Sequence, residues 1–455
     1  MFVQALRQRG AVLFSRLTLA ILAALFWVPS RAHPQISSQY TAADLDLLLA
    51  QKQYPQLEDA LAARPAELPS QIRAYFEGVM ANRLNLGKKS IALLEPLIPN
   101  LLISDPVRGE MALCAVADDY AKSFRYGDAA RIYSEANRIA KQQNKESACD
   151  AAREASRWAL LNNAPAQTVV TSGQFTIRGK WDTIGLFQVQ VNAGAYAGFW
   201  IVDSGANLSV VSKSVADKLG LEVSSFGSTA EGSSGLAVPV HTAVIPEMQL
   251  GPAVFHNAPV LVVADSDLSF PSLDYRIEGS LGLPVLAALG KVTFYRDGRI
   301  QFDHANQDSE TNRAPHNLFL ERFAPLIIAD FGSGNQLFTI DTGALGTMLS
   351  AQFYEQSRGA FDSSDLVNLE LVGAGGTLVA PAYQLRGMVA KLGGSCARLK
   401  TVQLLTQPTG SADEFYGNIG QSALSSFTSV TFDFNAMHFN VSGGNPGNCS
   451  VRDQP

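Results

Sequence analysis

Two short motifs in this chain combine residues that could activate water. Asp203-Ser204-Gly205-Ala206 and Asp341-Thr342-Gly343-Ala344 each set a carboxylate, a hydroxyl and a glycine in succession. Each aspartate ends an apolar run, Phe199-Trp200-Ile201-Val202 in the first and Leu337-Phe338-Thr339-Ile340 in the second. A carboxylate so placed leaves a strand beside a hydrophobic wall, and the glycine two residues on permits a tight turn and close backbone approach. Two carboxyls held about 3 Å apart in a low-dielectric cleft cannot both ionise, so they share one proton. The ionised partner can take a proton from water while the other donates to a carbonyl oxygen. Such chemistry calls for no metal, no cofactor and no covalent intermediate.

The two motifs sit at matching places in an internal repeat. Residues 186–206 align without a gap on residues 324–344, an offset of 138. The same offset carries Leu281-Gly282 onto Ile419-Gly420 and Val292-Thr293-Phe294 onto Val430-Thr431-Phe432. Each aspartate is followed 79 residues later by the glycine of an apolar-Gly pair, Gly282 and Gly420. Three separated blocks in one register mark a duplicated domain. Its short alternating apolar runs and frequent glycines predict many strands from Pro165 onward. A polar linker at 303–313 joins the copies.

The elements before the repeat are of another kind. From about 40 to 163, leucines recur at helical spacing among alanine-rich intervals. Leu113, Val116, Ala117, Tyr120, Ala129, Tyr133 and Ala136 follow a spacing that resembles the tetratricopeptide (TPR) pattern, with a weaker echo at Leu86, Gly87, Ser90 and Leu93. A plain helical bundle packed on the next domain is the alternative. This segment holds no catalytic cluster.

Composition and termini bound the rest. Hydrophobic residues are 47% of the 455 and charged ones 17%, which excludes a disordered chain. A formal charge of −6 with no long basic run argues against a nucleic-acid partner. Residues 1–32 contain Arg7, Arg9, Arg16 and Arg31 and no acid, then a 17–28 apolar core and Pro29-Ser30-Arg31-Ala32. That order predicts a cleaved secretory signal peptide, too short in its apolar core for a stable span, and a periplasmic or secreted protein. Its removal takes four arginines and leaves −10. Export permits disulfides, so Cys114, Cys149, Cys396 and Cys449 are candidates, with Cys114–Cys149 and Cys396–Cys449 the expected pairing of three, against four unpaired thiols. No HExxH, GxSxG, Walker or CxxC motif occurs.

The duplicated Asp-Ser/Thr-Gly-Ala motifs with their later apolar-Gly pairs resemble the aspartic protease superfamily, and most of all the retropepsins. The resemblance spans about 170–445. It implies an all-β bilobal protease fold with lobes at 166–308 and 309–455, which with the all-α, TPR-like segment at 33–165 makes a multidomain chain. It implies that Asp203 and Asp341 face one another as the catalytic pair of an endopeptidase. Ser204 and Thr342 would tie the loops together, while Gly205 and Gly343 support the carboxylates. The Gly-rich stretches Gly232-Ser233-Ser234-Gly235 and Gly373-Ala374-Gly375-Gly376 correspond to retropepsin flaps over a polypeptide substrate. Pairs of glycines also make ordinary hairpin turns. The pepsin-type flap tyrosine has no counterpart in the first stretch. Ala206 and Ala344 stand where pepsins usually carry a hydroxyl, which implies activity nearer neutral pH. A catalytically inactive peptide-binding scaffold is the alternative reading. The helical segment would bind a protein partner, gate the cleft or act as a removable pro-region.

Overall fold

Helix formation at the start follows from local capping. Thr41 and Asp44 form a reciprocal capping box on α1 (Ala42–Ala50). Further helices are α2 (Tyr54–Ala62), α3 (Ser70–Arg83), α4 (Gly87–Leu94), α5 (Ile98–Ser104), α6 (Pro106–Lys122), α7 (Tyr126–Gln142) and α8 (Ala151–Ala159). Asp105 caps α6 by accepting from the Arg108 N–H, and Pro106 occupies its first turn, where no N–H is needed. The computed structural model describes residues 40–63, 68–171, 173–232, 234–304, 315–361, 365–410 and 414–444. The expected signal peptide and most of the expected linker lie outside them. No described helix is long and apolar enough to cross a membrane.

Leu113, Val116, Ala117 and Tyr120 on α6 are buried together with Ala129, Tyr133 and Ala136 on α7. The sulfurs of Cys114 and Cys149 stand 2.04 Å apart, a disulfide distance. Cys396 is buried in a strand of the second copy, and Cys449 lies outside the described residues.

The β-rich half repeats a series of six strands. In the first copy these are β1 (Phe187–Ala193), β2 (Tyr196–Val202), β3 (Ser228–Glu231), β4 (Ala237–Leu250), β5 (Gly279–Leu281) and β6 (Lys291–Tyr295). In the second they are β7 (Ala324–Asp330), β8 (Gln336–Ile340), β9 (Val367–Gly373), β10 (Gly376–Arg386), β11 (Gly417–Ile419) and β12 (Ser429–Asp433). Strands β5 and β6 map onto β11 and β12 at the offset of 138 read from the repeat. The first five strands of each copy lie in that copy's own large sheet. A further antiparallel sheet joins the copies, with β6 and β12 adjacent at its centre. There Thr293 pairs with Thr431 and their hydroxyls are 3.0 Å apart, while Val292 faces Phe432 and Phe294 faces Val430. This register is unchanged by exchanging the copies, so a pseudo-twofold axis passes between the two threonines.

The helices pack on the second copy through a shared apolar core. Trp158 of α8 lies 5.3 Å from Phe323, and Tyr54 of α2 lies 5.6 Å from Phe319, ring centre to ring centre. Beside these rings Glu321 pairs with Lys52 at 3.0 Å and accepts from the Tyr54 hydroxyl at 2.6 Å, with Arg83 at 3.9 Å. Burial pushes the Glu321 carboxyl up, but the charges of Arg83 and Lys52 more than reverse this and hold it at about 2. A depressed carboxyl stabilises the fold above its unfolded value of about 4.5 and loses that contribution as pH falls through about 2. Glu321→Gln should therefore cost roughly 3 kcal/mol near neutral pH, because the buried Arg83 and the half-buried Lys52 lose this counter-charge. The gap between the urea midpoints of the two proteins should narrow as the pH is lowered from about 4.5 toward about 2; a gap that stays constant would show that charge is not involved.

Candidate active site

Each motif aspartate is delivered by an apolar strand and fixed by its neighbour. Strand β2 runs parallel to β5, with Val202 opposite Leu281; β8 runs parallel to β11, with Ile340 opposite Ile419. The Asp203 N–H donates to the Leu281 carbonyl at 3.0 Å, and the Asp341 N–H to that of Ile419 at 2.9 Å. Next come Gly282 and Gly420, whose N–H groups donate to Ser209 and Thr347, two hydroxyls again 138 apart. A Cβ on Gly282 would lie 2.5 Å from the Leu208 carbonyl carbon, which accounts for the glycine where the loop crosses behind the motif.

Ser204 and Thr342 clasp the copies together. The Ser204 N–H donates to Thr342 Oγ1 at 3.0 Å, and the Thr342 N–H donates to Ser204 Oγ at 3.1 Å. Each hydroxyl in turn donates across the axis, Ser204 to the Ile340 carbonyl at 2.9 Å and Thr342 to that of Val202 at 2.6 Å. Both side chains are buried, so these four bonds form out of competition with water. Gln421 adds a 2.8 Å bond from its amide to the Thr342 carbonyl.

The clasp brings the two carboxyls into contact. The Gly205 N–H donates to Asp203 Oδ1 at 3.1 Å, and the Gly343 N–H to Asp341 Oδ1 at 2.7 Å. Each glycine also faces the opposite carboxyl. A Cβ on Gly205 would fall 2.5 Å from Asp341 Cγ, and one on Gly343 2.6 Å from Asp203 Cγ. The two carboxyls are hydrogen-bonded to one another. Burial, then the charge of Asp341 and the bond to it, push Asp203 well above the usual carboxylate range. Burial also raises Asp341, against the opposing pull of the Gly343 N–H and of bonds from Asp203 and Asn418. Both side chains keep part of their surface open, so a water or a substrate atom can reach them.

The Gly-rich stretches form two hairpin tips that meet. Between β3 and β4 the hairpin is closed by the Gly232 N–H donating to the Leu236 carbonyl at 2.9 Å. Between β9 and β10, Gly373 pairs with Gly376 around Ala374 and Gly375. Gly375 at φ +84° and Gly376 at φ +121° occupy backbone conformations that favour glycine. A Cβ on Gly232 would overlap the Ala374 carbonyl, and one on Gly375 would lie 2.8 Å from a Val238 methyl. Ser234 is buried and Ser233 lies outside the described residues. Helix α8 reaches the first tip through Arg153, 3.6 Å from Glu231.

A cavity of about 530 Å³ adjoins the second motif, lined among others by Thr342, Leu345, Trp181, Ile184, Phe294 and Phe427. Among the described residues no group of three or more His, Cys, Asp or Glu side chains is arranged to hold a metal.

Two participants escaped the sequence reading. Asn418 touches Asp341, and Thr339 holds Asn418 with a 2.8 Å bond to its Oδ1. Their only sequence signal was a polar residue beside the apolar end of each strand, Thr339 before Ile340 in β8 and Asn418 before Ile419 in β11.

Residues 187–285 match the family model described as aspartyl protease. The match runs from the start of β1 past Gly282, and so contains Asp203, its hydroxyl and glycine neighbours, the first Gly-rich tip and the crossing strand β5. It supports a protease-like function in general. No curated protein matches the chain.

Proposed function

We propose that this protein is an aspartic endopeptidase whose catalytic groups are Asp203 and Asp341. The observation that carries this reading is the reciprocal Ser204–Thr342 clasp, which holds two carboxyls in mutual hydrogen-bond contact at a pseudo-twofold axis. One proton is shared by the pair. The ionised carboxylate takes a proton from water, and the resulting hydroxide equivalent attacks the peptide carbonyl carbon. The protonated carboxyl donates to the carbonyl oxygen, giving a neutral tetrahedral diol. Collapse of the diol breaks the C–N bond as a proton passes to the leaving amine, and the pair returns to its starting state.

The substrate on this reading is an extended polypeptide enclosed beneath the two hairpin tips, which exclude water and offer backbone bonds. The cavity beside Leu345 suits an apolar side chain. We assign the helices a permanent supporting role, with a TPR-like surface open to a protein partner. Their apolar seam with the second copy and the buried Glu321 cluster argue against a detachable pro-region. Export through residues 1–32 accords with the pairing of Cys114 and Cys149.

The purified protein should cleave an unfolded polypeptide and be blocked by a pepstatin-like statine, whose hydroxyl takes the place of the attacking water. Since burial and Asp341 hold the Asp203 proton well above the usual range, the alkaline limb of the pH–rate profile should lie nearer neutrality than in pepsins. An activity confined to strongly acidic pH, or indifferent to the statine, would contradict the reading.

A further inference from the structure

The two halves of the clasp are equal, but what stands behind each aspartate is not. At the offset of 138, Thr339 and Asn418 in the second copy correspond to Ile201 and Ser280 in the first. Both pairs are cross-strand neighbours, Thr339 with Asn418 and Ile201 with Ser280. Thr339 Oγ1 is 2.8 Å from Asn418 Oδ1 and 3.1 Å from the Gly417 carbonyl. A bond from the hydroxyl to Oδ1 uses the amide's acceptor and leaves its NH₂ as the group that meets Asp341. Ile201 has no hydroxyl with which to orient a neighbour. Asp203 draws on the Gly205 and Ala206 backbone and on Asp341 itself. The titratable group facing Asp341 is Asp203, while Gly343, Ala344 and Asn418 approach it as neutral hydrogen-bonding groups.

We propose that Asn418, oriented by Thr339, is a positioning residue that makes the carboxyl pair one-sided: its amide donates to Asp341, which stays ionised, and the shared proton resides on Asp203. Resting on the proposed function, this makes Asp341 the base that deprotonates water and Asp203 the acid that protonates the carbonyl oxygen. A donor to a carboxylate favours the charged form, so its loss makes that carboxylate easier to protonate. The doubly protonated pair is inactive, and the residue should therefore govern the acid limb of activity. If the amide were turned the other way, its oxygen would favour a proton on Asp341, and its removal would move the alkaline limb instead.

The test is a titration of the Asp carboxyl carbons by ¹³C NMR in the full chain, with pH–rate profiles recorded in parallel. Asn418→Ser, which installs the first copy's residue, and Asn418→Leu should each raise the lower apparent pKa of the pair by about one unit. The upper one should stay in place. Thr339→Val, which keeps the side-chain shape, should give a smaller shift of the same sign. A lower step that does not move, or movement of the upper step alone, would overturn the assignment; a residue with a purely structural role would lower stability without shifting either step. The carboxyl titration does not depend on catalysis. Expected shifts in a protein that cleaves nothing would overturn the proposed function and leave the proton's position standing. Unmoved steps in an active enzyme would do the reverse.

Discussion

Gly343→Ala is expected to lose about 10²-fold or more in kcat while the protein remains folded. The added methyl would sit 2.6 Å from Asp203 Cγ and also 2.6 Å from its Oδ1, closer than unbonded heavy atoms approach. Gly343 does not occupy the left-handed region of backbone space, so alanine meets no conformational obstacle there. The whole effect falls on the opposing carboxyl. Asp203 cannot retreat freely, because its Oδ1 accepts from the Gly205 N–H and its own N–H is bound to the Leu281 carbonyl. Displacement of a reacting group by about 1 Å is enough for a loss of that size. Gly205→Ala should behave alike, since its methyl would lie 2.5 Å from Asp341 Cγ. Gly346→Ala is the control: a Cβ there meets nothing within 4 Å, and activity should be close to wild type. Steady-state kinetics with thermal denaturation of the three variants checks this. A fully active Gly343→Ala would mean that the carboxyls need not stay in contact for turnover.

The legible features were those that duplication writes twice. A single Asp-Ser/Thr-Gly says little, but an offset of 138 that recurs in three blocks is a statement about symmetry. That symmetry reappears in space as the Thr293–Thr431 contact and the Ser204–Thr342 clasp. The change of texture near Pro165 was legible because helical and strand periodicities differ, and it falls between the end of α8 at Ala159 and the strand beginning at Thr168. The turns at 232–236 and 373–376 were visible as glycines, whereas the meeting of the two tips was not, since it depends on how two distant hairpins are aimed.

Asn418 was hidden for the opposite reason. Symmetry directs attention to what the copies share, and this residue belongs to what they do not. A polar side chain beside an apolar-Gly pair reads as a minor lapse in a strand until its partners on β8 and in the second motif are known. The seat of the helices on the second copy was likewise out of reach. Glu321 draws its partners from positions 52, 54 and 83, more than 200 residues away, and no local pattern encodes such a meeting.

Both aspartates are held here to act as one unit across the axis, so each should be indispensable by itself. Cleavage of an unfolded protein by Asp203→Asn and by Asp341→Asn tests this most directly. Each single variant should fold as the parent does and lose activity by about 10⁴-fold, to background, with the double variant no worse than either alone. Cleavage at the parental rate by either single variant would contradict it.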